Sequence, residues 1–215
     1  MSAAVSIFSA WREATTSTLD HLLALAVVLL LPSGLLGWVG GVLLVESNSG
    51  PSWLLTRLGL DLLLGPLALL LGLHIANERT FFAPTSIRGL LGACTGQRLK
   101  RALVLYLPIA LIIHPLMGLF GIPGIVLAYL GLGLCDPMRW LEGGKLWGMK
   151  NSKRLLLGAT PLILAASVAQ FGLAIWDVWS VQESTAVMFA LDQVARMLLA
   201  VWGWTVVMRL RRAVV

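Results

Sequence analysis

The stretch from Leu22 to Val45 decides the fold: LLALAVVLLLPSGLLGWVGGVLLV contains no charged side chain. A transmembrane helix needs about 20 consecutive apolar residues. The stretch is too long for the apolar core of a secretory signal peptide, and no A-x-A cleavage site follows a short apolar region. Continuous Leu, Ala and Val without alternation favours a helix over a barrel strand. The sequence therefore predicts a transmembrane helix that stays in the mature protein.

Five further apolar segments predict the remaining spans. Hydrophobic residues make up 58% of the 215-residue chain and charged residues only 12%, whereas charged residues make up about a quarter of a soluble domain. The predicted spans cover residues 22–45, 53–76, 102–120, 122–135, 155–176 and 186–208. We therefore predict one all-α integral membrane domain over residues 1–215, with six transmembrane helices arranged as three hairpins. This layout leaves no room for a soluble catalytic domain.

A cytoplasmic segment with the pattern of an interfacial amphipathic helix precedes each predicted hairpin. The first such helix is predicted at residues 3–18. Apolar residues spaced three and four apart, with charged residues on the other side, are typical of helices that lie in the membrane surface. The apolar residues are Val5, Phe8 and Trp11 in the first segment, Ile87, Leu90, Leu91 and Cys94 in the second, and Trp140, Leu141 and Trp147 in the third.

Positive charge lies on one side of this layout. With the N-terminus in the cytoplasm, 14 of the 16 Lys and Arg residues fall in cytoplasmic loops and tails, and only Arg57 and Arg196 lie inside spans. The opposite side contains Glu46, Asp177 and Glu183 but no Lys or Arg in its short loops. Cytoplasmic loops of membrane proteins are enriched in Lys and Arg. We therefore expect both termini in the cytoplasm, and we interpret the net charge of +6 as an orientation signal.

The region from Leu64 to Leu155 has a recognisable pattern. It contains Gly96-Gln97-Arg98-Leu99-Lys100, Gly121-Ile122-Pro123-Gly124-Ile125, Asp136-Pro137, Glu142 and Asn151-Ser152-Lys153-Arg154-Leu155. In this pattern the chain resembles the YciC-type bacterial inner-membrane proteins, which are related to the membrane domain of some glycerophosphodiester phosphodiesterases. The resemblance implies six membrane helices, an N-terminal in-plane helix, a turn at Pro123 and Gly124 before a short span, and a basic segment before the fifth span. Asp136 departs from the small or apolar residue expected there. The resemblance also implies a location in the bacterial cytoplasmic (inner) membrane.

Four charged residues inside the predicted spans form the first candidate site: Arg57, Asp61, Asp192 and Arg196. Each acid lies four residues from a base, so each pair shares one helix face. The two pairs have opposite order, so Arg57 can meet Asp192, and Asp61 can meet Arg196, if the second and sixth spans are neighbours. Ionisable residues within spans are functional candidates, here for a polar site or gate for a lipid headgroup, an ion or a proton. The alternative is a structural clasp in which the charges neutralise each other.

The basic residues of the second and third cytoplasmic segments form the second candidate site, for contact with lipid headgroups or with an acidic partner. They are Arg88, Arg98, Lys100, Arg101, Arg139, Lys145, Lys150, Lys153 and Arg154. Each Lys or Arg near an anionic leaflet contributes about 1 kcal/mol of attraction. The alternative is that these residues only enforce the topology.

Residue patterns that carry catalysis or hold a cofactor are absent from the sequence. It contains no G-x-S-x-G, H-E-x-x-H or P-loop motif, and His21, His74 and His114 are scattered. Cys94 and Cys135 form no C-x-x-C motif and are predicted on the reducing side of the membrane. We therefore expect no enzyme activity, no cofactor, no metal, no disulfide and no nucleic-acid partner.

The remaining function classes are both membrane roles. The preferred hypothesis is a non-enzymatic protein that contacts or moves phospholipid in envelope homeostasis, because the predicted hairpin over residues 102–135 is short and the in-plane segments are basic. The alternative is an accessory or assembly subunit that packs against a larger membrane protein complex. The partners considered are therefore membrane phospholipid, such a complex, or further copies of the same chain.

Overall fold

The computed structural model describes residues 3–47, 50–77, 87–107, 140–141 and 186–214, and all regular structure among them is helical. The helices are α1 (Ala3–Asp20), α2 (Leu22–Leu25), α3 (Leu31–Ser47), α4 (Gly50–Asn77), α5 (Ile87–Ala93), α6 (described over 96–107) and α7 (Ala186–Val214). A π-helical segment, Ala26–Leu30, joins α2 to α3.

Three of the described helical stretches are long and apolar enough to cross a bilayer: Leu22–Leu43, Gly59–Asn77 and Ala186–Leu210. They overlap the first, second and sixth predicted spans, so the prediction of helices that are long and apolar enough to span a membrane is confirmed for these three. The third predicted span is described only as far as residue 107. The fourth and fifth spans, with the turn at Pro123 and Gly124, lie outside the described residues, and the arrangement of six spans in three hairpins stays a prediction.

The π-helical segment ends at Leu30, two residues before Pro32. Proline lacks an N–H group, and its ring collides with the carbonyl group four residues earlier in a regular α-helix. In the π-helical segment the Leu31 N–H group bonds instead to the carbonyl oxygen of Ala26, five residues back. The Ser33 hydroxyl adds a donor to the Leu30 carbonyl oxygen at 2.8 Å. Because lipid offers the backbone no hydrogen-bond partner, these local bonds let a proline occupy a membrane span.

Helix α7 packs closely against α3. A Cβ atom added at Gly37 would lie 2.9 Å from the Cβ of Gln193, and one added at Gly41 would lie 2.8 Å from the Cα of Ala186. Residue numbers rise along α3 while they fall along α7, so the two helices are antiparallel. Small residues permit this close approach of backbones, as is common between helices in membranes.

Helix α4 also contacts α7, from a different side than α3 does. A Cβ atom added at Gly72 of α4 would lie 2.8 Å from the carbonyl oxygen of Val201. Towards the other end of the bundle, a Cβ atom at Gly40 would lie 3.0 Å from Cγ2 of Thr56 and 3.3 Å from the ring of Phe189. Helices α4 and α7 are therefore neighbours that run in the same direction, with α3 opposite to both.

Large apolar side chains remain exposed along the outside of these helices. They recur every four residues over the first span, and three more lie on α7: Leu23, Val27, Leu31, Leu35, Val39 and Leu43, then Val187, Leu191 and Leu199. Continuous apolar faces of this length on a protein in water promote association or aggregation. In hydrocarbon the same faces are the ordinary lipid-contacting surface.

The close contact of α4 with α7 gives the first prediction. Gly72→Ala should lower the free energy of unfolding by about 1–3 kcal/mol, because the added methyl group forces the two helices apart. Gly59→Ala is the matched control, since no atom lies within 4 Å of a Cβ at that position. The control should leave stability unchanged or raise it by up to about 1 kcal/mol. Thermal unfolding of both purified variants in mild detergent measures these changes. Equal unfolding temperatures for Gly72→Ala and Gly59→Ala would contradict the close contact of α4 with α7.

Candidate functional site

Asp192 and Arg196 form an ion pair within the apolar part of α7. The Nε atom of Arg196 lies 2.8 Å from Oδ2 of Asp192, and the side chains are 26% and 17% exposed, respectively. Arg196 follows the start of the apolar stretch at Ala186 by ten residues, or about 15 Å along a helix. This distance is about half the thickness of a typical hydrocarbon core, which is about 30 Å. Pairing with an acid is the usual condition under which an arginine is tolerated there.

The other two residues of the predicted intramembrane charge cluster lie on α4. The Asp61 side chain is partly buried, whereas the Arg57 side chain lies outside the described part of the structure. Helices α4 and α7 are neighbours, as the cluster hypothesis requires. Among the described residues, however, the ion pair of Arg196 is with Asp192 of its own helix, and none joins Arg196 to Asp61. The cross-helix cluster of four charges therefore stays a prediction.

The pair on α7 gives the second prediction. Asp192→Asn should lower the stability of the detergent-solubilised protein by about 2–3 kcal/mol, because it leaves the charge of Arg196 uncompensated inside the apolar span. The double variant Asp192→Asn/Arg196→Gln should lose less stability than the sum of its two single variants. Asp20→Asn, at an exposed position outside the span, is the control and should change stability by less than about 0.5 kcal/mol. If the double variant loses as much stability as the two single variants together, the side chains of Asp192 and Arg196 do not interact.

Helix α5 belongs to the second predicted basic segment, and some of its side chains are buried whereas others are exposed. Leu90 is fully buried and Ala93 is buried, and α5 contacts α2, the π-helical segment and α4. Ile87 and Leu91 are exposed, as is Arg88 between them. The predicted apolar face is therefore divided, because part of it packs on the neighbouring helices and part of it stays exposed beside a cation.

The second and third basic segments touch each other. Arg101 donates a hydrogen bond from Nη1 to the Leu141 carbonyl oxygen at 2.9 Å, and Trp140 donates from Nε1 to the Arg101 carbonyl oxygen at 3.3 Å. Arg98 and Lys100 are exposed next to this junction. The other basic residues predicted for lipid or partner contact lie outside the described residues: Arg139, Lys145, Lys150, Lys153 and Arg154.

Cys94 lies at the junction between α5 and α6 and is partly buried. Burial raises the pKa of the Cys94 thiol above its ordinary value, because the charged thiolate loses solvation. At neutral pH the thiolate, which is the reactive form, is therefore scarce. This agrees with a packing role rather than nucleophilic chemistry. Cys135 lies outside the described residues.

A further polar cluster joins α1 to the end of α7. Arg209 lies 3.6 Å from Glu13, measured from Nη1 to Oε2, and its Nη2 atom lies 3.4 Å from Oγ of Ser17. The carbonyl oxygen of Ser17 lies 2.6 Å from Nδ1 of His21, a contact that requires the proton on Nδ1. Ser17 and His21 are buried, and the Arg209 side chain is 11% exposed, whereas Glu13 is 42% exposed. We call these four residues the interface cluster.

Apolar and aromatic contacts hold α1 against α7 beside the interface cluster. The Trp11 and Trp202 rings pack edge to face with centroids 5.4 Å apart, an arrangement that aromatic pairs prefer. Trp202 also donates a hydrogen bond from Nε1 to the Thr15 hydroxyl at 3.1 Å. The buried apolar residues at this contact are Ala10, Ala14, Val206 and Leu210. The N-terminal helix is thus packed onto the end of the last described helix.

Sequence reasoning did not identify the interface cluster. It interpreted His21 as an isolated histidine and Arg209 only as an orientation signal. A usable signal was present, because Glu13, Ser17 and His21 are spaced four residues apart and therefore follow one another along one side of a helix. The contact of that side with Arg209, far away in the sequence, could be found only from the structure.

The predicted absence of a metal site can be compared only with the described part of the chain, where no group of three or more His, Cys, Asp or Glu side chains is placed to hold a metal ion. Comparisons with protein-family models, with curated proteins and with solved structures find no significant match. The resemblance to YciC-type proteins therefore stays a prediction.

Proposed function

We propose that the chain is a non-enzymatic inner-membrane protein that contacts or moves phospholipid in envelope homeostasis. In this proposal the chain crosses the membrane six times, with both termini in the cytoplasm. The observation that carries it is the exposed surface of α5, where Ile87, Arg88 and Leu91 combine apolar and cationic groups at one end of the spans. Helices with such a surface lie at the boundary between headgroups and acyl chains.

The position of α5 supports this role. Leu90 shares an apolar cluster with Ala24 and Leu25, at the start of the first span, and with Ile75, at the end of the second. These two span ends therefore lie at the same side of the bundle, and α5 lies beside both. A helix packed at that level has its exposed apolar side chains facing acyl chains and its arginine facing phosphate groups.

The charge of the neighbouring segment extends this surface. Arg98 and Lys100 on α6 are exposed, and each cation adds about 1 kcal/mol of attraction to an anionic leaflet. The bonds between Arg101 and residues 140–141 join this region to the third basic segment. We propose that the two segments form one continuous lipid-contacting surface. The proposed movement of lipid depends on the short predicted span at residues 122–135.

The alternative, an accessory or assembly subunit of a larger membrane complex, has its own supporting observation. Trp38 lies on the outside of α3 and is 49% exposed. Tryptophan is enriched where proteins contact one another, so this face of the first span is a candidate surface for another membrane protein or for a second copy of the chain.

The third prediction tests the basic surface. The triple variant Arg88→Gln/Arg98→Gln/Lys100→Gln should retain less anionic phospholipid after purification in mild detergent than the wild-type protein does. The difference should shrink at high salt, because exposed charges are screened. Gln97→Ala is the matched control, since Gln97 is exposed in the same segment and uncharged. Phosphate analysis per mole of protein and native mass spectrometry measure the retained lipid.

Reconstitution into vesicles with labelled phospholipid tests the movement of lipid. The wild-type protein should accelerate exchange between leaflets above the rate in empty vesicles, and the triple variant should do so less. Unchanged lipid content in the triple variant, together with no exchange above empty vesicles, would contradict the proposed function. A stoichiometric protein partner that co-purifies from native membrane would favour the accessory-subunit alternative.

A further inference from the structure

We propose that the interface cluster of Glu13, Ser17, His21 and Arg209 is a binding site for the phosphate group of a phospholipid, in which the phosphate replaces Glu13 as the partner of Arg209. The proposal rests on phospholipid contact as the function of the chain. It assigns that contact to residues distinct from the basic surface on α5 and α6.

The depth of the cluster favours a headgroup. His21 immediately precedes the apolar stretch Leu22–Leu43, and Arg209 is next to the end of the stretch Ala186–Leu210. The contacts of Arg209 with α1 bring these two span ends together. Phosphate groups of a bilayer lie just outside the hydrocarbon core, so the cluster lies where a lipid phosphate is available.

The chemistry of the cluster suits an oxyanion. The guanidinium group of Arg209 presents several N–H donors in a planar fork that matches phosphate oxygens. Ser17 accepts a hydrogen bond from Arg209, and its own O–H group can then donate to a phosphate oxygen. The bond from His21 to the Ser17 carbonyl oxygen fixes the last turn of α1 and so positions the hydroxyl. His21 is therefore a positioning residue for the proposed site.

The ion pair between Arg209 and Glu13 is long. The separation of 3.6 Å between Arg209 and Glu13 exceeds that of a charge-assisted hydrogen bond, about 2.7–2.9 Å. Glu13 is also the most exposed member of the cluster. A phosphate that approaches from the exposed side therefore meets Glu13 first and competes with it for the guanidinium group.

The test titrates phosphatidylglycerol into the whole protein in mild detergent and counts bound lipid by native mass spectrometry. Glu13→Gln should bind the lipid at least about threefold more tightly, because the competing carboxylate is gone. Arg209→Gln should bind it at least about tenfold more weakly, as expected for loss of a hydrogen bond to a charged group, and Arg209→Lys should restore part of the affinity. Arg12→Gln, which removes the same charge from an exposed position on α1, is the matched control and should change affinity less than about twofold.

Glu13→Gln decides the outcome even if Arg209→Gln does not fold, because Glu13 is the most exposed member of the cluster and its substitution leaves Arg209 its hydrogen bond to Ser17. Weaker binding in Glu13→Gln, or equal losses in Arg209→Gln and Arg12→Gln, would overturn the proposal. A parallel titration uses inorganic phosphate alone, and displacement of the lipid by phosphate at equal concentration would overturn the assignment to a phospholipid. Loss of binding in the triple variant on α5 and α6, with full binding in Arg209→Gln, would leave the proposed function standing and refute this site.

Discussion

The exposed apolar faces of the described helices constrain everything else in the structure. Leu and Val side chains recur every four residues along the outside of the first span, and others are exposed on α7, so the surroundings must be apolar. In such surroundings the backbone has to satisfy its own hydrogen bonds, which explains the long helices and the local π-helical solution before Pro32. Charged groups must either lie at the ends of the spans or be paired, and the ion pair of Asp192 with Arg196 meets the second condition.

The same constraint separates the two kinds of charge in the molecule. Within the apolar stretch of α7 an acid lies four residues before a base, and the pair is nearly neutral to its surroundings. At the ends of the spans the cations Arg88, Arg98 and Lys100 are exposed, and charges there do not have to be paired with an acid. This division favours a structural role for the pair on α7 and a functional role for the cations at the span ends. The proposed basic surface and the proposed phosphate site both lie there.

Much of this fold could be predicted from the sequence, for definite physical reasons. The stretch from Leu22 to Val45 is longer than any buried helix of a small soluble domain needs to be, so its length alone indicated a membrane span. The spacing of four between Asp192 and Arg196 indicated their contact. The position of α5 could not be predicted in the same way, because the apolar pattern of Ile87, Leu90 and Leu91 does not reveal which residues pack on protein and which face lipid. The interface cluster was hidden because it joins Ser17 to Arg209 across almost the whole sequence.

The central claim is that the described helices cross a bilayer, with the basic segments together on its cytoplasmic side. The most direct measurement is labelling of single cysteines with a membrane-impermeant maleimide in a Cys94→Ser/Cys135→Ser background. Ser47→Cys, at the end of α3, should be labelled in spheroplasts that are intact. Gln97→Cys, in the exposed basic segment on α6, should be labelled only after the membrane is permeabilised. Labelling of both positions from the same side of an intact membrane would contradict the account.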